Sequence, residues 1–287
     1  MYRFIPLILT LLFTPALADS KKVLFIGNSF TYGATGSAQF YHPENVRDLN
    51  QEGIGGVPSI FKTLAKQANM DFDISLETIP GSGLDTHFDK KLKLIDRKWD
   101  IVIMQSYSTL DAKNPNNPAK LIEYSQKLAQ TFKAKNKKAE LYLTATWSRA
   151  DQTYKPSGFW YGKPIEQMGN DVFDGYKAAL IANNGEIKNV IPVGLAWNRA
   201  FEVGIADKNP YDGVDFGKIN LWGWDQYHAS NYGYYLHALV DFGTITGYDV
   251  TQFGKKERAA FELGISSDDA IALQKVAQET ILANKSQ

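Results

Sequence analysis

Short apolar runs alternate along the chain with longer stretches in which apolar residues recur every three or four positions. Residues 23–26 (Val-Leu-Phe-Ile), 72–79, Ile101–Met104, 140–145 and 189–193 read as five strands. Pro192 marks the last of these as a strand end, because proline cannot donate to a sheet ladder. Helical spacing predicts helices over 57–70 (Ile60, Phe61, Leu64, Ala68), 85–95 with a basic face, 118–133 (Leu121, Ile122, Leu128, Phe132) and 172–182. Ser230 is a good N-cap for a helix running to Thr246, where Gly247 stops it. Ser266 with Asp269 three positions on is a capping pair for a last helix over 267–283. There is no internal repeat, low-complexity run or proline-rich linker, so one domain over residues 19–287 is expected. Strands alternating with amphipathic helices imply an α/β fold with a parallel sheet covered on both faces.

In such sheets ligands bind beyond the carboxyl ends of the strands. Ser29 lies just past the first strand, Gly81 just past the second, Gln105 ends the third, and Trp147 follows the fourth. Four strand ends thus converge on one rim.

Composition narrows the picture. The first 18 residues read as a secretory leader: a basic Arg3, an apolar stretch over 4–15 too short to cross a bilayer comfortably, and an Ala16-Leu17-Ala18 cleavage pattern. An exported protein, periplasmic or extracellular, is expected. The chain has no cysteine, which excludes disulfides, thiolate metal sites, thiol nucleophiles and a lipid thioether anchor. Lys plus Arg is 31 and Asp plus Glu is 31, so no electrostatic case exists for nucleic acid or an anionic membrane as partner.

Three segments carry chemistry. Ser29, in Gly27-Asn28-Ser29-Phe30-Thr31, sits where a strand turns sharply, with Gly27 giving the backbone room. Asp225-Gln226-Tyr227-His228 puts a carboxylate three positions before an imidazole, a spacing that lets one turn hold the carboxylate against Nδ1. Serine, imidazole and carboxylate together turn a weak alcohol into a nucleophile. Candidate donors to a developing oxyanion are the backbone N–H groups of Ser29 and Gly81, with Gly83 as a rival, and the side-chain amide of Gln105. A polar amide directly after four apolar strand residues is costly without a partner. Of the other histidines, His42 reads as a loop residue, His237 as a helix-face residue, and His87 as a helix-face residue within reach of the rim.

These residues, in this order, resemble those of the SGNH (GDSL-like) hydrolases, and the resemblance covers most of the chain from residue 19 onward. Gly27-Asn28-Ser29 is similar to that family's first block, with Ser29 as nucleophile. Gly81 is similar to the second-block glycine, and Asp225…His228 to the closing D-x-x-H. Asn28 replaces the usual first-block Asp, and Gln105 stands where the third block has Asn; a bacterial branch with a G-N-S-F-T first block shares both features. The resemblance implies a flavodoxin-like three-layer α/β/α sandwich, a five-stranded parallel sheet ordered 2-1-3-4-5, and ester hydrolysis through an acyl-enzyme, with no metal or organic cofactor.

Aromatic residues make up 13% of the chain, several of them in polar, loop-like stretches. Trp147, Trp160, Tyr161 and Trp224 are candidates for a substrate rim, suited to sugar rings or to acyl chains, unless they pack their own loops. A small-molecule or carbohydrate ester is the expected partner. Two rival readings stand beside it: a non-catalytic periplasmic carbohydrate-binding protein on the same fold, and an acyltransferase in which a sugar hydroxyl captures the acyl group.

Overall fold

The computed structural model describes residues 20–285; the leader read over 1–18 lies outside the described residues. The chain runs β1 (Lys21–Gly27), α1 (Ser29–Tyr32), β2 (Arg47–Asp48), α2 (Gly56–Gln67), β3 (Phe72–Thr78), α3 (Leu84–Ile95), β4 (Ile101–Met104) and α4 (Ala119–Lys135). It continues through β5 (Glu140–Thr144), α5 (Ala150–Tyr154), α6 (Ile165–Ala182), β6 (Asn189–Ile191) and α7 (Val193–Glu202). It closes with α8 (Asn231–Thr246), α9 (Arg258–Glu262) and α10 (Ser267–Asn284).

The sheet is parallel throughout and ordered β2-β3-β1-β4-β5-β6. Counting only the five strands foreseen, that is 2-1-3-4-5. The sixth, β2, is a two-residue edge strand beside β3, too short to leave a periodic signal. Side chains alternate across the sheet. Val23, Phe25, Ile74, Leu76, Ile101 and Ile103 face a core shared with α2, α7, α8 and α10. Leu24, Ile26, Val102, Met104, Leu141 and Leu143 face a second core shared with α3, α4 and α6. The result is a three-layer sandwich. Among the described residues no helix is long and apolar enough to cross a membrane.

Several boundaries differ from the sequence reading; α2, for one, ends at Gln67 rather than at 70. The last strand ends at Ile191, and Pro192 is the N-cap of α7, a helix the sequence did not announce. Helix α6 begins at Ile165 rather than 172. The caps of α8 and α10 are as foreseen: Ser230 accepts from the Gly233 N–H, Gly247 adopts φ 73°, and Ser266 accepts from the Asp269 N–H.

Register aligns the strand ends. Gly27 pairs with Thr78, Ile26 with Met104, and Met104 with Leu143. The residues that follow these positions therefore leave the sheet on one edge.

Candidate active site

Ser29 is the first residue of α1, a single turn capped by Asn28, whose Oδ1 accepts from the Phe30 N–H at 3.1 Å. Asn28 ties three strand ends together. Its N–H donates to Gln105 Oε1 at 2.9 Å, and its side-chain amide donates to the carbonyls of Ser82 (2.8 Å) and Ser106 (3.2 Å). Gly27 is required by space, because a Cβ there would stand 2.2 Å from Thr31 Oγ1 and 2.7 Å from Gln105 Oε1. Gly33 closes the turn at φ 82°. The Ser29 N–H donates to no acceptor among the described residues, as the first residue of a helix leaves it free to do.

The second segment folds back on itself. Asp225 Oδ1 accepts from the N–H groups of Tyr227 (3.1 Å) and His228 (2.9 Å), and Asp225 Oδ2 lies 2.6 Å from His228 Nδ1. A carboxylate can only accept, so Nδ1 carries the proton and Nε2 is left as the basic nitrogen. Nε2 is buried and has no hydrogen-bond partner among the described residues. Burial pushes the Asp225 carboxyl up, but hydrogen bonds from the His228 ring and from the His228 and Tyr227 N–H groups outweigh it, so its pKa falls below the ordinary value.

Side-chain packing joins the two segments. The Phe30 ring lies 5.7 Å from the His228 ring and 5.4 Å from the Tyr227 ring. The Tyr234 hydroxyl, from α8, is shared between the carbonyls of Ser29 (3.3 Å) and Ala34 (2.9 Å). Trp147 Nε1 donates to the Tyr227 carbonyl at 3.3 Å. The Arg149 guanidinium, clamped by both oxygens of Asp151, stacks 3.8 Å from the centroid of Tyr227. The turn that carries Ser29 thus packs, through Phe30, against the Asp225–His228 pair at the carboxyl edge of the sheet, with no hydrogen bond formed between Ser29 Oγ and His228 Nε2. Tyr234 and Arg149 were missed in the sequence, where neither carries a motif signal; Asn28 stood out there only as a departure within the first block, not as the residue that ties the strand ends.

The oxyanion candidates separate. Gly81 adopts φ 64° and faces open space, and its N–H donates to no acceptor among the described residues. Gly83, the rival, is a packing glycine: a Cβ there would stand 2.2 Å from the Tyr107 ring. Gln105 has structural partners of its own. Its Oε1 accepts from the Asn28 N–H and from Thr31 Oγ1 (3.0 Å), and one of its amide hydrogens meets the Ser106 carbonyl. This side chain buckles β4 to the Ser29 turn through its carbonyl oxygen.

The aromatic rim needs correction. Trp147 is 0% exposed, stacked between Phe30 (4.3 Å) and Trp197 (4.7 Å), and Trp160 is 2% exposed with Nε1 donating to Asp171. Their area is spent on the core. Tyr161 and Trp224 are open, at 54% and 77% exposure. Two histidines read as helix-face residues are buried as well. His237 lies 3.3 Å from Asp241 within α8, and His87 sits between Ser82 and Glu77. A concavity lined by Lys22, Lys98 and Asp100 lies at the opposite edge of the sheet and shares no residue with this site.

No known family profile matches the sequence, and no curated protein matches it. Solved structures do. A DUF4886 family protein from Bacteroides uniformis matches with a TM-score of 0.62 and 20% identity, over 92% of this chain and 95% of that one. A proposed SGNH hydrolase from Slackia heliotrinireducens matches with a TM-score of 0.51 and 19% identity, over 79% and 100%. A proposed GDSL-like lipase from Parabacteroides merdae matches with a TM-score of 0.55 and 15% identity, over 79% and 96%. The chain has the fold of the SGNH and GDSL-like hydrolases.

Proposed function

We propose that the protein is an exported serine ester hydrolase. The observation that carries this reading is the His228 imidazole: Nδ1 is held by Asp225, while Nε2 is buried, unpaired and packed through Phe30 against the turn that presents Ser29. Ser29 Oγ attacks the acyl carbon as Nε2 takes its proton. The N–H groups of Ser29 and Gly81 receive the oxyanion, where each donor lowers the barrier by about 2.7–4 kcal/mol. His228 then protonates the leaving alcohol, and the Asp225 carboxylate stabilises the imidazolium throughout. Water activated by Nε2 releases the acid from the acyl-enzyme.

Short acyl esters of carbohydrates are the proposed substrates. Trp224, exposed and adjacent to Asp225, offers a stacking face for a sugar ring. A structure similar to this one, at a TM-score of 0.50 and 14% identity, is that of a catalytic mutant of an acetylxylan esterase from Geobacillus stearothermophilus. A pure carbohydrate binder would have no use for an imidazole fixed by a carboxylate with its other nitrogen left free. Export follows from reading residues 1–18 as a cleaved leader, and N-terminal sequencing of the exported protein checks it.

The test is turnover of a chromogenic short-chain acyl ester by wild type and Ser29→Ala. The expected loss is about three orders of magnitude or more with the fold retained. Equal rates in the two proteins would remove Ser29 from the reaction.

A further inference from the structure

Beneath the Gly81 turn lies a second serine–histidine–carboxylate chain, and it points the other way. Ser82, His87 and Glu77 are all buried, at 2%, 0% and 0% exposure. Ser82 Oγ donates to the Ile79 carbonyl at 2.8 Å. A hydroxyl has one proton and that carbonyl can only accept. The contact of 2.8 Å between Ser82 Oγ and His87 Nε2 is therefore a bond that Ser82 receives, and Nε2 carries the hydrogen. On the other side of the ring, Nδ1 meets Glu77 Oε2. One proton lies between them, as imidazolium and carboxylate or as imidazole and carboxylic acid. In both forms Nε2–H still donates to Ser82. Asn50 completes the chain, giving its amide to Glu77 Oε1 (3.2 Å) and taking Lys91 Nζ on its own Oδ1 (2.7 Å).

Ser82 cannot act as a second nucleophile in this arrangement, since the imidazole gives it a proton instead of taking one. What the chain does hold is a turn. The Ser82 N–H donates to the Ile79 carbonyl, Pro80 follows Ile79, and Gly81 has φ 64°; proline second and a positive-φ glycine third are the features of a type II β-turn. The Ser82 carbonyl is fastened from the opposite side by Asn28, the cap of the helix that carries Ser29. A buried ionisable pair contributes little to stability compared with apolar residues of the same volume, so its value lies in position.

Building on the proposed ester hydrolysis, we propose that Glu77 and His87 are positioning residues for the oxyanion-binding turn. They fix Ser82 as donor to Ile79 and so hold the Gly81 N–H in line with that of Ser29.

The test is steady-state kinetics on Ser82→Ala, His87→Phe and Glu77→Gln, with a thermal melt for each. Misplacing one oxyanion donor is expected to lower kcat about 10- to 100-fold in Ser82→Ala and His87→Phe, with KM within about twofold. Glu77→Gln is expected to keep kcat within about threefold, because its amide can donate to Nδ1 and still accept from Asn50. A folded Ser82→Ala with wild-type kcat overturns the proposal, and so does a Glu77→Gln as impaired as His87→Phe. If His87→Phe fails to fold, the other two variants decide. A wild type with no turnover instead refutes the hydrolase reading. The Ser82 link is then read by NMR, where an exchange-protected His87 Nε2–H present in wild type and lost in Ser82→Ala supports it. Absence of that signal in wild type refutes it.

Discussion

Gln105 and Asn28, 77 positions apart, meet at 2.9 Å, with the Gln105 side-chain carbonyl accepting the backbone N–H at the entrance to the Ser29 turn. That bond fixes how β1 leaves the sheet. Replacing Gln105 with Ala strands a buried N–H, at a cost of about 1–3 kcal/mol. The expected result is a lower midpoint in urea unfolding together with a lower kcat, since Ser29 loses its seat. A variant with lower activity but wild-type stability would return Gln105 to direct contact with the oxyanion.

Gly27 tests the same seat from the other side. A methyl group there collides with Thr31 and with the Gln105 carbonyl. Gly27→Ala is expected to cost about 1–3 kcal/mol by overpacking and to displace Ser29. Urea unfolding and ester turnover read the two effects separately.

The acidity of Asp225 gives a pH dependence with a definite sign. Its folded pKa lies below the ordinary 3.8, so the stability it contributes is present above the unfolded value and is lost as pH falls through the folded one. Urea midpoints of wild type and Asp225→Asn are expected to differ by a constant amount above about pH 4 and to converge below it. A gap that stays constant down to pH 2 would show that the carboxylate has no preferred partner in the folded state.

Much of this was legible in the sequence because it is local. Four apolar residues in a row define β4, and Ser230 and Gly247 bound α8 with side-chain and backbone chemistry that belongs to those positions alone. The unread parts depend on distant residues. Gln105 plainly needed a partner, but the partner precedes it by 77 positions. Glu77 lies in a strand buried on both faces, which demands a buried partner; that partner, His87, looked like an ordinary helix-face residue. Trp147 follows a strand end, where no periodicity tells inward from outward. Pro192 read correctly as a strand end and concealed the helix that starts beside it.

The tryptophans separate core from surface. Trp147→Ala is expected to cost about 3–5 kcal/mol, since the ring stacks on both Phe30 and Trp197. Trp224→Ala is expected to change stability by no more than about 0.5 kcal/mol. It should raise KM for acetylated oligosaccharides while leaving KM for a small chromogenic ester unchanged. Equal effects on both substrates would remove Trp224 from sugar contact.

The central claim is that the Ser29 hydroxyl is the group activated by His228. The most direct measurement is covalent trapping with an alkyl fluorophosphonate, followed by mass spectrometry of the digested chain. The account predicts one adduct, on the peptide containing Ser29, absent in Ser29→Ala and formed far more slowly in His228→Ala. No adduct in the folded wild type, or an adduct on another serine that persists in Ser29→Ala, would contradict it.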